Sequence, residues 1–336
     1  MNFQLKDLDY IWKTQPQETL LKEQKGSPTD LNLLYLNMLR KVGVKAYPVL
    51  ISTTSNGKVF PFRVSPNEFD RVISAIEMED STLLLVDAAD FPNPVGLLGS
   101  EDLNGEGLLL KSQEEIEWIP LQNKVSVNTA LIANWELNEK GGIKGNIVYF
   151  ENGYDAVDNR RAIKEKGNEV LLKEKFKTWV ADGTFSDIKV ENAEDWQSAG
   201  TKLTFNMETS VLANASGDKI YLSPLIGLGI HDNPFKNPDR KFNVDFGPPN
   251  EENINLAFKI PQGYRVEEAP KPMKMSFGEN GLNFDYLIDI KADMLKIVVR
   301  TRQKASTINV SEYAQLQEFY SKMVAKMEEQ VVLSKL

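Results

Sequence analysis

Cysteine is absent from this chain, and histidine occurs once, at His231. The first absence excludes disulfides, thiolate nucleophiles, cysteine-ligated zinc and iron–sulfur clusters together. The second rules out a two-histidine metal site and leaves a serine–histidine–aspartate triad a single residue to use. Basic charge is also short, with 39 Lys and Arg against 48 Asp and Glu and a formal net charge of -9. That field disfavours nucleic acid and anionic membrane surfaces, and no Lys/Arg run offsets it locally. No apolar run approaches the roughly 20 residues that span a bilayer. The opening MNFQLKDLDYIWK lacks the basic flank and apolar stretch of a signal peptide. A chain without cysteine suits either redox environment, so composition leaves localisation unknown. No cofactor or metal is implied. The glycine turns LNGEG and GLG lack the strand–loop–helix setting of a phosphate site, and Asp80, Asp87 and Asp90 lack calcium-loop spacing.

What is present is ordinary globular composition, 41% hydrophobic and 26% charged over 336 residues. A chain of that length forms more than one core, because single cores rarely grow past roughly 250–300 residues. Leu31, Leu34, Tyr35, Met38, Leu39 and Val42 recur at three and four residues and predict an amphipathic helix. Its start is well signed. Ser27 is a good N-cap, Pro28 suits the first helical position, Asp30 favours the positive helix end, and Gly43 closes the C-terminus. AYPVLIST then reads as a buried strand, and Ser55 to Lys58 as an Asn-Gly hairpin turn. RVISAIEM and STLLLVDAAD read as further strands of one sheet, and FPNPVGLLGSEDLNGEG as a surface loop.

The character changes near EEIEWIPLQN, which sets domains at 1–120 and 121–336. Beyond it come a long hairpin from VSVNTALIANWEL to NIVYF and two helices interrupted near Gly167. Strands follow with Leu203, Phe205 and Met207 alternating, then Leu282, Phe284, Tyr286, Ile288 and Ile290. A period of two implies antiparallel sheet with one covered face. A closing helix is expected from about Ser311 to Val332, its stripe made by Tyr313, Leu316, Phe319, Tyr320, Met323 and Met327. The tryptophans read as core rather than as a sugar platform, and His231 as a loop anchor.

The stretch GSPTDLNLLYLNMLRKVGVKAYPVLIS resembles the nucleophile helix of the bacterial transglutaminase-like (papain-like cysteine) superfamily. There a Gly-x-Cys-x-Asp loop opens a Leu-rich helix, and two later strands supply a histidine and an aspartate. FDRVISAIEMEDSTLLLVDAAD is similar to those two strands, and VGLLGSEDLNGEGLLL to the loop that follows in an envelope-associated subfamily. Downstream, IYLSPLI, NPFKNPDRKFNVDFG, IPQGYRVEEAP and the final Tyr-rich helix resemble that subfamily's C-terminal domain of unknown function. The resemblance puts Pro28 in the nucleophile's place, Arg71 in the histidine's and Asp87 in the acid's. Proline has no nucleophilic side chain, and arginine stays protonated and cannot act as a base. These are vestigial triad positions, with Ser27 and Asp30 read as a helix cap and Arg71 and Asp87 expected to form an ion pair across adjacent strands.

The expected fold is α+β: a truncated papain-like/transglutaminase-like core, then a mainly antiparallel β domain of sandwich type with helical insertions and a C-terminal helix. The expected function is that of a pseudoenzyme, a binding or assembly module with a protein, peptide or glycan ligand and a periplasmic or envelope setting implied by the resemblance. The alternatives are a hydrolase or acyltransferase using a non-cysteine nucleophile such as Ser27, and a structural fragment of a larger protein.

Overall fold

The computed structural model describes residues 3–6, 10–60, 62, 65–90, 93–122, 127–181, 183–196, 200–278 and 281–336. The chain is mixed α+β with mostly antiparallel sheets and divides into two compact units, 1–125 and 126–336.

In the first unit the order is β1 (Gln4–Leu5), α1 (Gln17–Glu23), β2 (Lys25–Gly26), α2 (Pro28–Lys41), β3 (Ala46–Ile51), β4 (Arg71–Glu77), β5 (Leu83–Val86), β6 (Glu106–Leu110) and β7 (Ile116–Pro120). The last five form one antiparallel sheet in the order β5-β4-β3-β6-β7. Helix α2 starts on a complete capping box, Ser27 accepting from the Asp30 N–H while the Asp30 carboxylate accepts from the Ser27 N–H. It ends where Gly43 takes a positive φ of 83° and Val44 N–H reaches back to the Leu39 carbonyl. Leu31, Leu34 and Leu36 are buried. Met38 and Val42, expected on the buried stripe, are 58% and 75% exposed, because the helix's last turns reach past what covers the first.

Strand β4 explains the unbroken apolar run of its sequence, for Val72, Ile73, Ser74 and Ala75 are all buried, so both sheet faces are covered. One face holds Val49, Ile51, Ile73, Leu109 and Leu98; the other holds Phe69, Val72 and Leu108 with Leu33 of α2 against them. Two expectations change here. The Asn-Gly turn forms, with Asn56 and Gly57 N–H groups on the Thr53 carbonyl, but it lies inside a long connection between β3 and β4, not at a tight hairpin. The loop expected at the surface after β5 instead contributes Leu97, Leu98 and Asp102 to the interior; its Phe91 and Pro92 lie outside the described residues.

The second unit runs β8 (Val127–Leu137), β9 (Ile143–Asn152), α3 (Gly153–Lys166), α4 (Asn168–Lys175), β10 (Thr184–Glu191), β11 (Gly200–Thr209), β12 (Ala213–Ser216), β13 (Lys219–Leu222), β14 (Val244–Asp245), β15 (Asn250–Lys259), β16 (Tyr264–Glu268), β17 (Met273–Phe277), β18 (Leu282–Lys291), β19 (Met294–Gln303), β20 (Thr307–Ile308), α5 (Tyr313–Met327) and β21 (Val331–Lys335). An eight-stranded sheet has the order β10-β11-β9-β8-β15-β19-β18-β17, antiparallel except that β8 and β15 run parallel. A four-stranded sheet, β12-β13-β21-β16, shares its core. Alternation is clean: Leu131, Ala133, Trp135 and Leu137 of β8 face inward, as do Leu203, Phe205 and Met207 of β11. Trp135 and Trp179 are core residues with ring centroids 5.5 Å apart, and Trp179 Nε1 donates to the Ile226 carbonyl. All six residues of the expected α5 stripe are buried, but the helix stops at Met327 and Val331 begins a strand.

Candidate functional site

Arg71 opens β4, and Asp87 follows directly on β5, its antiparallel neighbour. The Arg71 guanidinium, 11% exposed, lies with Nη1 3.6 Å from Asp87 Oδ2 and 2.8 Å from Asp102 Oδ1, while Nη2 is 3.7 Å from Glu101 Oε2. Asp87 and Asp102 are both buried and Glu101 is exposed. Asp87 Oδ1 accepts from Asn32 Nδ2 at 2.7 Å and from the Ala89 N–H at 2.8 Å. Asn32 Nδ2 also donates to the Pro28 carbonyl at 3.1 Å, and Asn32 Oδ1 accepts from the Ala88 N–H. One amide side chain thus ties the first turn of α2 to the end of β5, which brings Pro28, Arg71 and Asp87 into one neighbourhood.

Asp102 Oδ2 and Asp87 Oδ2 are buried and meet no hydrogen-bond donor. Burial, followed by the Asp87 charge, pushes the Asp102 carboxyl up to about 8, with Arg71 pulling the other way. An Asp102 carboxyl raised this far holds its proton near neutral pH, which reduces the negative charge packed around Arg71. Gly99 lets the loop pass close to Asp90, since a Cβ there would press on the Asp90 carboxylate.

At the helix start, Ser27 and Asp30 are buried. Burial works to raise the Asp30 carboxyl, but hydrogen bonds from the Thr14 hydroxyl and N–H and from Ser27 outweigh it and hold it below the ordinary range. The Ser27 hydroxyl is committed to this cap. Among the described residues no group of three or more His, Asp or Glu side chains has a metal-holding arrangement. His231 lies in the loop after β13, in the other unit.

Asn32 and Asp102 were not legible as site residues. Asn32 stands one helical turn after Pro28, a spacing that could have raised it. Asp102 is 31 positions from Arg71 in a stretch that reads as surface loop, and only the need of a buried arginine for a partner hints at it.

Residues 218–333 match the family described as "Domain of Unknown Function with solved-structure structure (DUF3858)". The match lies inside the second unit. None of the curated proteins compared with the chain matches it. Among solved structures, a protein of Parabacteroides distasonis ATCC 8503 described as a "putative protease" aligns with 95% of this chain at 9% identity and a TM-score of 0.49. The chain spans 46% of that protein's length. No helix among the described residues is long and apolar enough to cross a membrane.

Proposed function

We propose that this chain is a non-catalytic, transglutaminase-like protein of the bacterial envelope type, a binding or assembly module built on a frame whose chemistry has been removed. Its domains are then a transglutaminase-like core remnant at 1–120 and a mainly β domain with helices at 121–336. The observation that carries the reading is the buried Arg71–Asp102–Asp87 cluster. A permanent cation stands where a general base would act, and both carboxyls are taken up in holding it. Pro28 offers no nucleophile at the helix start, and Ser27 is occupied as a cap on Asp30, whose carboxyl is held below the ordinary range by the hydrogen bonds it accepts. Exposed Met38, Val42 and Phe62 give the first unit apolar surface suited to assembly with another protein.

An activity-based screen of amide and ester substrates tests this. No turnover above the uncatalysed rate is expected. Turnover that disappears in Ser27→Ala, in protein that keeps its circular dichroism spectrum, overturns the reading in favour of a serine hydrolase or acyltransferase.

A further inference from the structure

Inward-facing positions of the eight-stranded sheet are apolar along most of its length, but one row is not. Thr201 pairs with Glu151, Glu151 with Thr129, Thr129 with Glu252 and Glu252 with Thr301, across β11, β9, β8, β15 and β19. Glu252 is in step with Ile254, Leu256 and Phe258, all buried, so it occupies a position that binary patterning reserves for a hydrophobe. Such a row lowers stability unless each member is satisfied.

Most are. Glu151 accepts from Lys175 Nζ at 2.8 Å, from the Tyr149 hydroxyl and from Asn159 Nδ2, which also donates to Thr201. Thr129 hydrogen-bonds Asp155. Glu252 is the exception: among the described residues its carboxyl makes no hydrogen bond or ion pair, and the nearby Asp155 repels it. Burial, then that repulsion, raises the Glu252 carboxyl above its ordinary range; Asp155 is raised likewise by burial and by Glu151. Three carboxyls therefore share one ammonium, and Lys175 is engaged by Glu151.

Glu252 lines a cavity of about 220 Å³, with Thr129, Tyr149 and Lys175 around the same space and Leu131, Phe176 and Leu228 supplying apolar walls. That volume exceeds the roughly 150 Å³ that accepts a benzene ring. It is a body-sized space, too large for a lone ion, and the carboxyls have no metal-holding arrangement.

The geometry points to a binding site in the second unit for a small organic ammonium, one ring or short chain in size, whose cationic group pairs with Glu252 while its body lies on Leu131, Phe176 and Leu228. An ammonium supplies the missing charge and the missing donors at once. A neutral hydroxylated molecule of the same size supplies only weaker donors and leaves the charge imbalance. Glu252, Thr129, Leu131 and Tyr149 sit on strands of one sheet, so that side of the site is preorganised, and the site stands whether or not the first unit is catalytically empty.

The probe is D-glucosamine, with D-glucose as its neutral match, followed on the full chain through the methyl NMR signals of Leu131, Leu228 and Ile254. Glucosamine is expected to shift these signals saturably, and glucose to leave them unmoved at ten times the concentration. Glu252→Gln is expected to weaken glucosamine at least tenfold while raising or preserving Tm, since a charge without a partner is removed. A merely structural Glu252 would lower Tm instead. Leu228→Trp, which fills the cavity and leaves Glu252 in place, is expected to abolish binding and serves if Glu252→Gln does not fold. Equal responses to glucose and glucosamine, no response of these methyls to either, or unchanged glucosamine affinity in Glu252→Gln overturns the proposal.

Discussion

Asp102 is buried, with Arg71 donating to its Oδ1 and no donor at its Oδ2. Because folding lifts its carboxyl to about 8, the native state holds a proton that the unfolded chain releases near pH 4. Stability from this group is complete below pH 4 and declines as pH rises toward 8, by about 1.4 kcal/mol per unit where proton uptake is full. Asp102→Asn keeps an acceptor for Arg71 and has no proton to lose. Urea unfolding across pH 5–8 should therefore show a flatter profile for the variant, with the variant the more stable at pH 8; parallel profiles would sink the raised Asp102 carboxyl. Arg71→Leu acts in the opposite sense. It leaves two buried carboxyls facing each other with no cation and should cost about 3–5 kcal/mol, read in the same experiment at pH 7. Ser27→Ala removes only a cap and should cost about 1 kcal/mol. The cap was plain from Ser27, Pro28 and Asp30 alone, because capping is a local matter of three residues. The raised Asp102 carboxyl was not, because it depends on a loop carrying Asp102 beside Asp87 and Arg71.

At the scale of elements, regular periods were legible wherever a face is buried along its whole length. The alternation of β8, β11 and β18 and the stripe of α5 are of this kind. Errors fell at the ends. Val331, four residues after Met327, continues the α5 stripe, so periodicity alone extends the helix over it, but it goes with Val332 to β21 instead, as β-branched residues favour. That strand pairs β13 on one side and β16 on the other, with Val331 and Leu333 fully buried. Leu333→Ala should lower stability by about 2–5 kcal/mol, a large effect for a residue three positions from the last one. Thermal unfolding followed by near-UV signals of the buried tryptophans checks it. In the first unit the helical stripe of α2 over-reads, since Met38 and Val42 have the right spacing and are exposed.

For the molecule as a whole, charge was readable from composition without any fold. A net charge of -9 over 336 residues repels polyanions at long range. Neither duplex DNA nor RNA should be retarded in a mobility assay at about 0.15 M salt, where screening falls to about 8 Å; a shifted band would reveal a local basic patch. The α+β class and the predominance of antiparallel pairing also followed from pattern alone. The parallel contact of β8 with β15 did not, because alternation reports which face of a strand is covered and is silent on its neighbour.

That parallel contact has a consequence in time. On one side of it lie β8, β9, β11 and β10; on the other lie β15, β19, β18 and β17. Each group pairs mostly between strands close in sequence, whereas Val127 meets Asn250 across on the order of a hundred intervening residues. Closing that interval costs entropy that neither group incurs alone, so the halves should become protected first and the seam last. Pulse-labelled hydrogen exchange would register this as amides of β8 and β15 along their shared edge trailing those of β9 and β19. On a ribosome, the first half must wait with an open strand edge until β15 has emerged.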